Sequence, residues 1–119
     1  MNILVVDDDE AMRELVKVHL TNAGYRVTLA EDAVAGGRML YGSTPDLLII
    51  DAEMPYMNGL DFVATMLSDT LAPQVPVILI SAHERFVERA AFLGVDCLSK
   101  PFSVDQLLEA VARAVGNQG

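Results

Sequence analysis

Five side chains carry the chemistry this sequence offers, and each follows a short apolar run. Asp7 and Asp8 come straight after Ile3-Leu4-Val5-Val6, Asp51 after Leu47-Leu48-Ile49-Ile50, Ser81 after Val77-Ile78-Leu79-Ile80, and Lys100 after the weaker Cys97-Leu98-Ser99. Taken singly, each has an ordinary explanation. Asp8 or Asp9 in the run Asp7-Asp8-Asp9-Glu10 could cap a helix whose positive end favours acid. Asp51 could cap the turn of Met54-Pro55-Tyr56-Met57-Asn58-Gly59, and a lone lysine near a strand end is commonly solvated. Brought together, they read differently. Clustered carboxylates repel one another unless a cation or donors compensate, and an all-oxygen set without Cys or His suits Mg²⁺. Ser81 and Lys100 add the hydroxyl and ammonium that an anion needs.

Whether they meet depends on the elements that carry them. Apolar runs that read as strands recur at 3–6, 27–30, 47–50, 77–80 and, more weakly, 97–98, and the run at 47–50, without polar alternation, reads as a central strand covered on both faces. Helical patterns fill the gaps. The first spans 10–22, with Met12, Leu15, Val16 and Leu20 on one stripe and Gly24 as its stop. The second spans 32–41 and is weakened by Gly36-Gly37; the third spans 59–67 through Leu60, Phe62, Val63 and Met66. The fourth, 84–93, turns Phe86, Val87, Ala90 and Ala91 inward and stops at Gly94. The last, 104–115, follows Ser103 as its cap and packs Leu107, Leu108, Val111 and Val115. Strands alternating with helices make an α/β fold: by analogy with flavodoxin-like proteins, a doubly wound five-stranded parallel sheet of order 2-1-3-4-5, with helices on both faces. The first and third strands are then neighbours. Asp7, Asp8 and Asp51 share the crevice at the switch point, where ligands of open parallel sheets bind.

A length of 119 residues suits one domain, 1–119, with 116–119 as a linker or tail, and 52% hydrophobic residues argue against disorder. The formal charge of −9 and isoelectric point near 4.4 oppose non-specific attraction to nucleic acid or anionic lipid. Cys97 is the only cysteine, so no intramolecular disulfide forms. With neither a signal peptide nor a long apolar span, the expectation is a soluble, cytoplasmic protein in a reducing compartment, monomeric or weakly dimeric.

Asp-Asp after the first strand, Asp51 with Met-Pro-x-Met-x-Gly after the third, Ser-Ala after the fourth and Lys-Pro-Phe after the fifth together resemble the receiver domain of two-component response regulators, over essentially the whole chain. The resemblance implies a switch rather than an enzyme. Asp51 would be the phosphoacceptor, receiving a phosphoryl group from a phosphohistidine on a sensor histidine kinase or phosphotransfer protein. Asp8 and Asp51 would hold Mg²⁺ directly, Asp7 through a water, and the backbone carbonyl of Glu53 would supply a further oxygen. Lys100 would pair with the phosphoryl oxygens, Ser81 would move its hydroxyl onto one, and Pro101 would follow a cis peptide that aims Lys100 inward.

Some positions depart from the family pattern. Receivers commonly carry Tyr or Phe three residues before the lysine, where this chain has Cys97, and the interval from Ser81 to Lys100 is a few residues short, so the fourth helix or its loops must be trimmed. Either Phe86 or Phe92 repacks instead, or output uses another face; the plainer alternative is that both phenylalanines are core. Glu53 and His83 border the route of water to phosphorus and would tune the phosphoryl lifetime; Glu53 could instead contact Lys100 at rest, and His83 could be a solvated loop residue. His19 reads as surface or packing, and Met54, Met57 and Met66 as turn and core. Two other functions stay open: a Mg²⁺ phosphohydrolase resembling the haloacid-dehalogenase group, although Asp51-Ala52-Glu53 lacks a second Asp two residues on, and an interaction module independent of phosphorylation.

Overall fold

Leucine, isoleucine and valine runs become strands because their side chains can be buried on both faces of a sheet at once. In the computed structural model, which describes residues 1–54 and 57–116, the order is β1 (Asn2–Val6), α1 (Glu10–Asn22), β2 (Arg26–Ala30), α2 (Ala33–Gly42), β3 (Leu47–Asp51), α3 (Gly59–Ser68), β4 (Val77–Ser81), α4 (Arg85–Leu93), β5 (Asp96–Ser99) and α5 (Val104–Gly116). The sheet runs β2-β1-β3-β4-β5, all parallel, as expected. Alternate strand residues feed two cores. Leu4, Val6, Leu48, Ile50 and Leu79 meet α2, α3 and α4, while Ile3, Val5, Ile49, Ile78 and Ile80 meet α1 and α5. Between these two helix layers the carboxyl ends of β1 and β3 lie side by side, at the switch point of the sheet.

Helix starts follow the sequence closely. Asp9, one of the two expected candidates, caps α1 by accepting from the N–H groups of Ala11 and Met12. Asp32 caps α2 rather than opening it. Ser103 and Gln106 close a reciprocal capping box, each side chain accepting from the other's backbone N–H. The apolar faces are narrower than expected. Leu15 is 48% exposed, and Val87 and Ala91 are exposed, because the sheet takes only the i, i+4 line of Phe86 and Ala90. Phe92, six residues after Phe86, falls outside that line and is 91% exposed, which corrects the reading of both phenylalanines as core. Within the interval from Ser81 to Lys100, α4 is, at nine residues, the shortest helix among the described residues and begins without a side-chain cap.

Among the described residues, no helix is long and apolar enough to cross a membrane. Pro55 and Tyr56 of the turn after Asp51, and residues 117–119 of the expected tail, lie outside the described residues.

Candidate phosphoacceptor site

Among the described residues the only buried polar or charged side chains are Asp7 (1% exposed), Asp51 (4%) and Ser81 (1%). All three are expected site residues. Burying charge is costly without partners, so each must be held by its surroundings. Register does the holding: Asp51 lies opposite Ile80 and Ser81 opposite Ser99, and the ladder runs on past the strands through Ala52 N–H to Ile80 C=O at 2.7 Å and Lys100 N–H to Ser81 C=O at 2.8 Å. The carboxyl ends of β3, β4 and β5 are thereby locked side by side.

The geometry gathers the expected set. Carboxylate oxygens of Asp7, Asp8 and Asp51 lie within 4.8 Å of one another, and the Lys100 Nζ stands 3.2 Å from Asp51 Oδ2. Asp51 Oδ1 accepts from the Glu53 N–H at 3.0 Å. Asp7 Oδ1 accepts from the Asp9 N–H at 2.9 Å. Burial raises the Asp7 carboxyl from 3.8 to about 6; the Asp9 N–H opposes this, the Asp51 charge adds to it and Lys100 opposes it. A buried acid so disfavoured as an anion wants a cation beside it. Among the described residues the cluster is three carboxylates with no His or Cys in it, a donor set that fits a hard divalent ion such as Mg²⁺. The peptide bond between Lys100 and Pro101 is cis.

Around this centre the expectations divide. Glu53 does not reach Lys100; its Oε2 lies 3.2 Å from His83 Nε2, so His83 is a paired residue and not merely a solvated one. The Ser81 hydroxyl is engaged by the His83 backbone, donating to the His83 C=O at 3.0 Å and accepting from the His83 N–H at 3.0 Å. Cys97 packs half-buried against the α2-α3-α4 core. Two residues were missed in the sequence. Arg13 sends Nη1 back to the Asp7 carbonyl at 2.7 Å, a contact whose only trace is a base close behind the four acids 7–10. Gly59 seats α3 against β3: its N–H donates to the Ala52 C=O at 2.9 Å, and a Cβ there would collide with the Asp51 carbonyl oxygen.

The strand order and the carboxylate cluster at the switch point define a doubly wound α/β domain with an acidic site. The description "Response regulator receiver domain" matches residues 3–112, and the chain belongs to that family. It is 40% identical over 111 residues to the response regulator MprA of Mycobacterium avium, covering 91% of this chain and 48% of that protein, and 38% identical over 114 residues to MprA of Mycobacterium leprae, covering 93% and 49%. The chain thus spans about half the length of these relatives. Among solved structures it resembles a response regulator receiver domain protein from Clostridium thermocellum, with TM-score 0.89, 26% identity and coverage of 98% and 95%. It also resembles the chemotaxis protein CheY4 of Vibrio cholerae, with TM-score 0.85, 27% identity and coverage of 95% and 97%. The family is one of two-component signalling, which sets aside the phosphohydrolase reading.

Proposed function

We infer that the chain is a phosphorylation switch whose acceptor is Asp51. The observation that carries this reading is the confinement, among the described residues, of buried polar or charged side chains to Asp7, Asp51 and Ser81, with Lys100 in contact with Asp51. A carboxylate oxygen of Asp51 forms the new bond to phosphorus as the phosphorus–nitrogen bond of a partner's phosphohistidine breaks, and the imidazole leaves with the electron pair. Such transfer needs little from the protein beyond position and positive charge. Strand register supplies the position. Lys100 supplies one charge, and Mg²⁺ held by Asp8 and Asp51, by Asp7 through water and by the Glu53 carbonyl would neutralise charge on the phosphoryl oxygens.

The consequence is a shift between conformations. Inverting a 1:99 equilibrium takes about 5.5 kcal/mol of differential stabilisation, and a charge-assisted hydrogen bond from Ser81 to a phosphoryl oxygen contributes about 1.5 to 3 kcal/mol of it. The partner is a sensor histidine kinase or phosphotransfer protein. Exposed Leu15 and Val18 on α1 and Val104 on α5 flank a cleft that includes Phe102, an apolar surface beside Lys100 on which a protein carrying the phosphohistidine can rest. We read 1–119 as one cytoplasmic receiver unit that does not itself bind nucleic acid. Incubation with a small-molecule phosphodonor and Mg²⁺ should label the wild type, and Asp51→Asn should abolish labelling; equal labelling of the variant would sink the assignment.

A further inference from the structure

We propose that Glu53 and His83 form a clasp across the mouth of the site that holds Ser81 in its resting orientation, so that both are positioning residues for the switch. The proposal rests on the reading of Asp51 as phosphoacceptor. Glu53 stands in the loop after β3 and His83 in the loop after β4, and the contact of Oε2 with Nε2 at 3.2 Å ties the two loops together. Both ends of the tie are anchored at the chemistry. The Glu53 N–H donates to Asp51 Oδ1, while the His83 backbone takes both functions of the Ser81 hydroxyl, its proton and a lone pair. Ser81 therefore has no proton to give a phosphoryl oxygen until it releases the His83 carbonyl.

Releasing that carbonyl moves the His83 backbone, and the side-chain tie resists the movement. The other carboxylate oxygen of Glu53 is buried with no hydrogen-bond partner among the described residues. Glu53 is thus held for its contact with His83 at the expense of solvating one oxygen. Lys100 stays with Asp51 and does not compete for it. The resting state gains a contact that the modified state must give up.

Removing either partner should therefore ease the switch, and in the same direction. In a Mg²⁺ and beryllofluoride titration followed by amide shifts, Glu53→Ala and His83→Ala should each tighten apparent binding by about two- to five-fold, the range of a half-exposed ion pair. The double variant should gain no more than either single one. A simple charge effect predicts otherwise, since losing an acid would tighten and losing a base would weaken binding. Without metal or beryllofluoride, the His83 amide should exchange faster with solvent in Glu53→Ala while amides of β3 and β4 keep their protection. Opposite signs for the two variants, additive gains or an unchanged His83 amide would overturn the clasp while leaving the phosphoacceptor reading intact. A wild type that ignores beryllofluoride would overturn that reading and the proposal with it.

Discussion

At the scale of single residues, the site is a balance of charges that the fold has taken out of water. Asp7 shows it best. Its carboxyl is raised from 3.8 to about 6, so between those values the folded protein binds a proton that the unfolded chain releases. The stability from this group is present below 3.8 and lost as pH rises through about 6. Metal-free Asp7→Asn should then be more stable than the wild type at neutral pH by about 1 to 3 kcal/mol, with the difference shrinking toward acid, as read by urea denaturation. The same variant should bind Mg²⁺ more weakly, so the metal and the proton compete for one place. Asp7, Asp8, Asp51, Ser81 and Lys100 were legible in the sequence because each ends an apolar run. The Glu53 to His83 contact was not: the two residues stand thirty positions apart, and only the pairing of Asp51 with Ile80 brings their loops together.

At the scale of elements, glycines show where a helix must approach the site and where it need not. Gly59 begins α3 directly over the Asp51 backbone, and an added methyl would overlap the Asp51 carbonyl. Gly59→Ala should cost about 3 kcal/mol or more and disturb Asp51 itself, visible as a lower melting temperature together with lost labelling. Gly37 is the opposite case. A Cβ there meets only Phe62, at an ordinary 3.9 Å, so Gly37→Ala should stabilise α2 by about 0.5 to 1 kcal/mol through helix propensity, raising the melting temperature without affecting labelling. The pattern that weakened the second helix in the sequence is thus only partly structural. All five strands were legible from short apolar runs, that of β2 interrupted by Thr28, and β5, a two-residue signal, grew to four residues by pairing with β4. Which side of a helix faces the sheet was less so, since Val87, Ala91 and Phe92 are apolar yet lie off the line of contact. Residue type reports burial; it does not report direction.

At the scale of the whole molecule, three carboxylates at the mouth of an acidic domain link metal, fold and signal. Binding only the folded state, Mg²⁺ at about a hundred times its dissociation constant should add about 2.7 kcal/mol of stability, and a chelator should remove it. The formal charge of −9 makes the resting crevice repel an incoming phosphoryl donor, so labelling should depend steeply on Mg²⁺ and the gain should diminish as salt screens the field. The family match covers residues 3–112, and the proposed site lies at the carboxyl ends of β1, β3, β4 and β5, where ligands of open parallel sheets bind. The most direct measurement is peptide mapping by mass spectrometry after treatment with a small-molecule phosphodonor and Mg²⁺. One phosphoryl group, acid-stable and hydroxylamine-labile, should be found on the peptide holding Asp51 and nowhere else. Mg²⁺-dependent modification of a different residue, with the Asp51 peptide unmodified, would contradict the account.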